Sequence, residues 1–425
     1  MAISPLCRLP HPKLCQQSFT RHGGGRWSRI CRHLDDHESR RHSAVDHRTL
    51  HGFVTDGVLQ DSEMPVRPET FLTVGLLLVL LAWLCCGAGC GDGAPAGSQT
   101  SVGHGELDDF VPPPLGDLQR TVSVVLSDLE FPETVQRPVD VAVVESGGIR
   151  FRVTSNSRTP QVLSGLESLS FQDKDKRFEA FRAGLNLEHV YCGHRDVRNR
   201  FSPRKHTYLV SRERDEHSVF LVRPATQSPW SVEHATRLAV TPPDAVDIDF
   251  RCRFRDVSAF GAREYVTFFW ANYMRELHDA AVHFRGVSEQ GGSEGWIRAE
   301  SMDGWTVGTY RAATASALEF DADHNMALNL RSFEWPRITR PVLYSRSADG
   351  MVLILMFDRL RTDVDEIRFS HFPPAVDFQY VIHGVKKGRR YGFRARLIWR
   401  PWTTQEDCLQ AWHAWDRDPG STDGP

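Results

Sequence analysis

Short apolar segments, separated by Gly, Pro, Asn, Asp or Ser, follow one another from residue 120 onward. Many of them alternate with a period of two, as in AVDIDF at 245–250, and β-branched and aromatic residues predominate. This pattern is typical of short strands with one buried face. There is no repeating strand–helix alternation and no repeat of fixed period. The sequence therefore predicts an all-β fold, a large antiparallel β-sandwich spanning 118–415, with TVSVVLSD at 121–128 as an early strand.

Two local signals refine this prediction. The segment SADG at 347–350 lies between two apolar runs and predicts a hairpin turn. Near the C-terminus, Thr403 precedes Glu406 at the spacing of a capping box, which predicts a short helix, the only one expected. Its apolar face would pack on the sheets through Cys408, Leu409, Trp412 and Trp415. Residues 416–425 are expected to form a disordered tail.

An apolar stretch with the features of an export signal lies at 64–90. Arg67 precedes a Leu-rich run, no charged residue occurs from 71 to 91, and small residues follow. This order is that of a secretory signal peptide, although the run is also long enough for an uncleaved anchor. Cys90 follows small residues and resembles a bacterial lipidation site, but Gly87 stands where such sites usually carry Leu. Either alternative predicts export to the periplasm or cell surface with attachment to the membrane.

The regions around this stretch have no predicted fold. Residues 1–63 are rich in His, Lys and Arg without sustained periodicity, and they read as a disordered leader or as an extension from an incorrect start before Met64. Residues 91–117 are rich in Gly, Pro and Ser and predict a tether.

Composition and motifs exclude several function classes. The net charge of −3 gives no electrostatic basis for binding nucleic acid. No motif predicts a cofactor or a metal site, and no GxSxG, HExxH or P-loop is present. Cys192, Cys252 and Cys408 lack CxxC spacing, so buried free thiols are favoured over one disulfide.

The segment AGLNLEHVYCGH at 183–194 places polar residues inside an apolar strand pattern. Strict alternation would put Asn186 and Glu188 on one face and His189 on the other. A carboxylate beside an imidazole can transfer protons, so Glu188 and His189 are catalytic candidates and Asn186 a binding candidate. The competing interpretation is a structural pair within a strand.

A second candidate surface combines aromatic, amide and basic side chains from YVTFFWANYM, VHFRGV and GWI. Indole rings stack on sugar rings, and amides and guanidinium groups bind hydroxyls. If the strands were neighbours, one concave surface would carry Trp270, Asn272, His283, Arg285 and Trp296, with His283 as a further catalytic candidate. The competing interpretation is an aromatic core.

Two further groups complete the candidates. Arg204 and Lys205, in FSPRKHTYL, could bind an anionic group of a substrate or form a solvated loop. Tyr273 is a substrate-binding candidate, and a polysaccharide lyase would use it together with a His or an Arg.

The segments GLNLEHVYCGH, FFWANYM, VHFRGV with GWI, and DFQYVIHGVKKGRRYGFRARLIWRP together resemble a group of uncharacterised exported proteins of planctomycete-type bacteria, over roughly 175–410. More distantly, the layout is similar to the galactose-mutarotase-like β-supersandwich of aldose epimerases. That resemblance implies a His acid and a Glu base on facing strands, which here would be Glu188 with His189 or His283.

The leading hypothesis is an exported, membrane-tethered protein of the cell envelope that binds or processes a poly- or oligosaccharide. The first alternative is a non-catalytic envelope or interaction protein whose aromatic residues are all structural. A polysaccharide lyase is the second alternative.

Overall fold

The structure is a computed structural model that describes residues 115–131, 135–158, 163–196, 202–279, 281–289, 291–300, 308–358, 365–372 and 374–416. All of them belong to the compact unit His104–Pro425. The predicted leader, the export signal with Cys90, most of the tether and the tail beyond Asp416 lie outside the described residues.

The described strands, in chain order, are β1 (Val141–Ser146), β2 (Ile149–Thr154), β3 (Gly165–Asp173), β4 (Lys176–Glu179), β5 (Phe181–Tyr191), β6 (Leu209–Arg212), β7 (Ser218–Arg223), β8 (Val232–Thr241), β9 (Ala245–Phe254), β10 (Tyr265–Met274), β11 (Ala281–Val287), β12 (Gly295–Glu300), β13 (Thr309–Tyr310), β14 (Arg337–Arg346), β15 (Met351–Phe357), β16 (Asp365–Phe372), β17 (Ala375–His383) and β18 (Arg390–Pro401). They form two antiparallel sheets. Sheet I has the order β1-β2-β3-β5-β10-β17-β16-β13, with β4 paired to β3, and sheet II has the order β12-β11-β14-β15-β18-β9-β8-β7-β6. The prediction of a large antiparallel β-sandwich is confirmed.

Aromatic residues hold the two sheets together. Trp270 of β10 contacts Phe250 of β9 and Phe393 of β18, with ring centroids 4.8 and 5.1 Å apart. Phe378 of β17 stacks on Trp270 at 5.1 Å within sheet I. We call the side of each sheet that faces this layer its inner face. Because successive strand residues alternate between faces, the aromatic layer determines which residues point outward.

The segment TVSVVLSD is helical, so its prediction as a strand is wrong. It lies in α1 (Leu115–Asp128), which also includes residues 115–117 of the predicted tether, and the C-terminal helix is therefore not the only one. The buried residues Val122, Val125, Leu126 and Leu129 follow the i, i+3, i+4, i+7 spacing of a helix face. They pack with Phe220, Val222 and Ala235 on the outer face of sheet II. A segment that packs on top of a sheet, and not within it, need not alternate as a strand does. The other described helices are α2 (Ser202–Lys205), α3 (Ala327–Leu330) and α4 (Gln405–Asp416), with 3₁₀ turns at Ala225–Gln227 and Ser258–Arg263.

The predicted C-terminal helix is α4, which covers another part of the outer face of sheet II. Its residues Cys408, Trp412 and Trp415 are buried as expected, and Leu409 packs against the same cluster. The cap differs by one residue from the prediction, because Thr404, not Thr403, accepts a hydrogen bond through its Oγ1 from the Asp407 amide at 3.1 Å. Asp407 therefore occupies the acidic position of the first turn that the prediction gave to Glu406.

Two smaller predictions are also confirmed. The SADG segment joins β14 to β15 as a hairpin, with Gly350 at a φ of 84°. Cys192, Cys252 and Cys408 are buried free thiols.

Among the described residues, no helix has the length and apolar character needed to cross a bilayer.

The cap of α4 gives a test with a matched control. Thr404→Ala removes the oxygen that satisfies the Asp407 amide, and we expect the free energy of unfolding to fall by about 1 kcal/mol. Thr403→Ala, at the equally exposed neighbour, should change it by less than about 0.5 kcal/mol. Urea unfolding of both variants measures this difference, and equal losses would show that Thr404 is not the cap.

Candidate functional site

A bulge in β5 creates the centre of the candidate site. His189 pairs with Phe269 of β10, and the next pair joins Leu187 to Trp270, so Glu188 has no partner on β10. A bulge of this kind redirects a side chain out of the regular alternation. The Nε2 atom of His189 lies 3.7 Å from Oε1 of Glu188, and Leu187 packs in the core. The prediction that Glu188 and His189 point to opposite faces is therefore wrong.

Arg204 neutralises the Glu188 carboxylate. Its Nη1 donates to Glu188 Oε1 at 2.7 Å, and only 4% of the Glu188 side chain is exposed. Burial raises the pKa of Glu188, and the positive charge of Arg204 opposes that rise. The chain holds Arg204 in place through its carbonyl oxygen, which accepts hydrogen bonds from both the amide and the hydroxyl of Ser164.

A second carboxyl group, Asp377 of β17, lies within the electrostatic influence of Glu188. Burial raises the pKa of Asp377 well above its usual value, and the negative charge of Glu188 raises it further. The backbone amide of Asn272 offsets only part of this rise. Burial and the charge of Glu188 both favour the protonated form of Asp377, whereas the guanidinium of Arg204 favours the ionised form of Glu188.

Tyr273 of β10 joins the same group. Burial and the nearby Glu188 carboxylate raise the pKa of its phenol, while a hydrogen bond from Arg204 works in the opposite direction. The phenol therefore stays protonated at neutral pH and can donate a hydrogen bond.

Polar residues of β16 and β17 extend the group across sheet I. Gln379 pairs with Phe269 on one side and with Arg368 on the other, and Ser370 pairs with Asp377. These side chains point away from the aromatic layer because Phe378 and Tyr380 alternate with them toward the core. We call this outward-facing set the polar floor: Glu188, His189, Arg204, Tyr273, Arg368, Ser370, Asp377 and Gln379.

Several buried polar atoms on this face have no hydrogen-bond partner among the described residues. They are Asp377 Oδ1, Gln379 Oε1, Ser370 Oγ, Arg368 Nη1, Glu366 Oε2, Tyr191 OH and Thr267 Oγ1. Each unsatisfied buried group costs about 1–3 kcal/mol, and native proteins contain few of them. These atoms share one face of sheet I, where water or a ligand can supply the missing partners.

The segment 312–331 covers part of the polar floor. Arg368 donates to the carbonyl of Ser316 at 2.7 Å, and Gln379 donates to the carbonyl of Asn329 at 2.8 Å. Leu318 and Leu330 of this segment pack in one cluster with Phe269. Arg204 and Tyr273 keep partial exposure, so they mark the more open side of the polar floor.

The predicted surface built from Trp270, Asn272, His283, Arg285 and Trp296 does not form, because β10 belongs to sheet I and β11 and β12 to sheet II. Trp270 lies in the aromatic layer between the sheets, where neighbouring rings surround it. Asn272 is buried on the same strand and donates to the Val376 carbonyl at 2.5 Å. Both side chains are used within the protein.

The sheet II members of that surface pack near α4. His283 stacks on Tyr344 with ring centroids 4.6 Å apart, and its Nε2 lies 3.3 Å from Asp279. The Arg285 guanidinium lies 5.5 Å from the Trp296 ring centroid and pairs with Glu294. Trp296 also contacts Tyr344 at 4.9 Å.

Asn186 and Lys205 have structural contacts of their own. The Asn186 amide nitrogen donates to the carbonyls of Gly184 and Ala271, which joins β5 to β10 beside the bulge. The Lys205 side chain is exposed, and its carbonyl accepts a hydrogen bond from Asn156. Of the predicted site residues, the structure thus brings Glu188, His189, Arg204 and Tyr273 together. Their functional roles stay predictions.

Four residues of the polar floor were not predicted from the sequence: Asp377, Gln379, Arg368 and Ser370. The signal was present, since DFQY at 377–380 and RFS at 368–370 alternate polar and aromatic residues. Such alternation normally indicates a sheet face exposed to solvent. The sequence does not show that the segment 312–331 covers and buries this face.

No protein-family model matches the chain, and no curated protein matches it. Among solved structures, the GalM/aldose epimerase homologue from C. elegans is similar at 9% identity with a TM-score of 0.34, covering 62% of this chain and 99% of that one. The α-N-acetylgalactosaminidase from Bifidobacterium bifidum is similar at 10% identity with a TM-score of 0.37, covering 64% and 38% of the two chains. A heparan sulfate lyase mutant from Pedobacter heparinus is similar at 6% identity with a TM-score of 0.30, covering 60% of this chain and 34% of that one. Similarity this low establishes no common family.

The polar floor combines two buried carboxyl groups in different surroundings, because Arg204 favours the ionised form of Glu188 and burial favours the protonated form of Asp377. Such a pair can accept and donate a proton on the same substrate. Within the described ranges, no group of three or more His, Cys, Asp or Glu side chains is arranged to hold a metal ion.

Substitution of Arg204 tests whether its positive charge stabilises the buried Glu188 carboxylate. In Arg204→Met, the buried Glu188 carboxylate loses its partner, and we expect a loss of about 3 kcal/mol in the free energy of unfolding at pH 8. The folded-state pKa of Glu188 then lies further above the reference value of 4.5, so the folded state binds a proton more readily than the unfolded state. The loss should therefore shrink as the pH falls toward that raised pKa.

Denaturant unfolding between pH 5 and pH 8 measures this effect. Lys205→Met changes an exposed neighbour in the same helix and serves as the control, with an expected change below about 0.5 kcal/mol. A loss in Arg204→Met that does not depend on pH would contradict the proposed role of the pair.

Proposed function

We propose that the protein binds, and chemically processes, a saccharide on the polar floor of sheet I. The observation that carries this proposal is the convergence of two buried carboxyl groups, Glu188 with its guanidinium partner and Asp377 with a strongly raised pKa, with unsatisfied polar atoms of the same sheet face. Perturbed carboxyl groups gathered in this way are typical of functional sites.

Sugar hydroxyls can form hydrogen bonds with both the unsatisfied donors and the unsatisfied acceptors of the polar floor. A hydroxyl donates one hydrogen bond and accepts others, and the polar floor offers acceptors at Asp377 Oδ1 and Gln379 Oε1 beside donors at Arg368 Nη1 and Ser370 Oγ. The close ion pairs Glu188–Arg204 and Glu366–Arg368 leave little net charge. A polyhydroxylated ligand can satisfy these atoms without bringing an unpaired charge into the site.

The two carboxyl groups would divide the proton transfer. Glu188 is the group that accepts a proton from a sugar hydroxyl, because Arg204 stabilises its ionised form. Asp377 is the group that donates a proton to a sugar oxygen, because burial favours its protonated form. His189, 3.7 Å from Glu188, can relay the proton that Glu188 receives.

Binding to a glycan array, with neutral and acidic polysaccharides, tests the proposal with the full-length protein in detergent. We expect Asp377→Ala to weaken binding about tenfold or more, because the variant loses both the hydrogen bond that the carboxyl group can donate and the one that it can accept. Glu188→Gln should abolish any turnover of the bound saccharide, followed by NMR of the sugar signals.

Trp296→Phe, on the outer face of sheet II, is the control and should leave binding unchanged. The proposal fails if no saccharide binds, or if Trp296→Phe weakens binding and Asp377→Ala does not.

We further propose that the protein acts at the cell envelope, exported and tethered to the membrane. This rests on the sequence of 64–90, where Arg67, an uncharged apolar run and small residues precede Cys90. Lipid on Cys90 would provide the attachment, and the Pro- and Gly-rich residues after it would separate the sandwich from the bilayer.

Mass spectrometry of the native protein tests this proposed localisation. We expect the N-terminal peptide to begin at Cys90 and to carry a diacylglyceryl modification, with the protein in the membrane fraction. An unmodified peptide that continues through Cys90, from a protein recovered in the soluble fraction, would contradict the tether.

A further inference from the structure

A small cavity lies between the two sheets, outside the polar floor. Its volume is about 40 Å³, and most of its wall is apolar, with Leu185 and Trp270 from sheet I and Leu221 from sheet II. The polar side chains of Asn186, Tyr208 and His234 also line it. Cavities lined only by apolar side chains can stay empty, whereas polar groups in the wall favour water.

These three side chains each have a buried atom without a hydrogen-bond partner among the described residues: Asn186 Oδ1, Tyr208 OH and His234 Nδ1. The residues are 2%, 5% and 3% exposed, so bulk water does not reach them readily. The amide nitrogen of Asn186 is already bonded to two carbonyls, which leaves its oxygen as an acceptor. The cavity therefore offers one fixed acceptor, one hydroxyl and one imidazole nitrogen.

His234 is in its neutral form in this environment. Burial, the positive charge of Arg223 and the nearby His206 together lower the pKa of His234 to about 3. A neutral imidazole presents one donor and one acceptor nitrogen, so His234 Nδ1 can bond to a hydroxyl in either tautomer. Its ring also contacts the Tyr208 ring at 5.6 Å, which fixes both groups at one wall of the cavity.

The volume decides what can occupy the cavity. One water molecule takes up about 30 Å³ in the liquid and needs at least about 10–15 Å³ of accessible space. A cavity of about 40 Å³ fits one or two waters and no sugar or organic cofactor. Buried waters typically make about three hydrogen bonds, which is the number of unsatisfied atoms here.

We infer that one or two ordered waters occupy this cavity and bridge Asn186 Oδ1, Tyr208 OH and His234 Nδ1. The inference does not depend on the proposed function. These waters connect β5 of sheet I to β8 of sheet II, so they act as part of the core rather than as solvent.

The cavity also lies beside the turn that carries Arg204. Ser164 lines the cavity and donates two hydrogen bonds to the Arg204 carbonyl, and Tyr208 follows Arg204 by four residues. The bound waters thus complete the packing behind the segment that positions Arg204.

Crystals of the full-length protein, with and without xenon pressure, test the inference. We expect one or two water peaks within about 3.2 Å of Tyr208 OH and His234 Nδ1, and no xenon in the cavity. An empty cavity that binds xenon would overturn the inference.

Oxygen-17 relaxation dispersion in solution provides a second measurement that does not require crystals. The double variant Tyr208→Phe/His234→Phe removes two of the three partners and should lose one or two long-lived waters relative to the wild type. Tyr310→Phe, in the same core but away from the cavity, should lose none. If the double variant does not fold, the wild-type crystals decide the question; if it folds and keeps all long-lived waters, the inference is wrong.

Discussion

The aromatic layer between the sheets determines the rest of the structure. Trp270, Phe378, Phe250 and Phe393 interlock edge-to-face and by stacking, and their burial fixes which face of β9, β10, β17 and β18 points inward. Since strand residues alternate, the same contacts force Tyr273, Asp377 and Gln379 outward. The polar floor is thus a consequence of the core: a one-residue shift in register would exchange its carboxyl groups for aromatic rings.

The polar floor is costly to maintain. Glu188 and Arg368 are almost fully buried charged groups, and an ion pair at this depth contributes little net stability because desolvation offsets its attraction. Polar atoms without partners add a further cost of about 1–3 kcal/mol each. An arrangement with such a cost is typical of a functional site, where stability is exchanged for reactivity. The aromatic residues that first suggested sugar binding, Trp270 and Trp296, are instead part of the protein's own packing.

The sequence predicts the sandwich, the 347–350 hairpin and the C-terminal helix, because each depends on local periodicity or turn chemistry. It does not predict features that depend on contacts between residues distant in the sequence. In α1, burial on one side of sheet II selects a helix from residues with high strand propensity. At Glu188, a bulge defined only by pairing with β10 overrides alternation. Likewise, the covering segment 312–331 turns the polar residues of β16 and β17 into a buried group, which no local pattern reveals.

Hydrogen–deuterium exchange with and without a bound saccharide tests the location of the site most directly. Ligand on the polar floor should slow exchange in β5, β17 and the covering segment 312–331, and leave β11, β12 and α4 unchanged. Protection confined to β11, β12 and α4 would place the ligand on the outer face of sheet II and contradict the account.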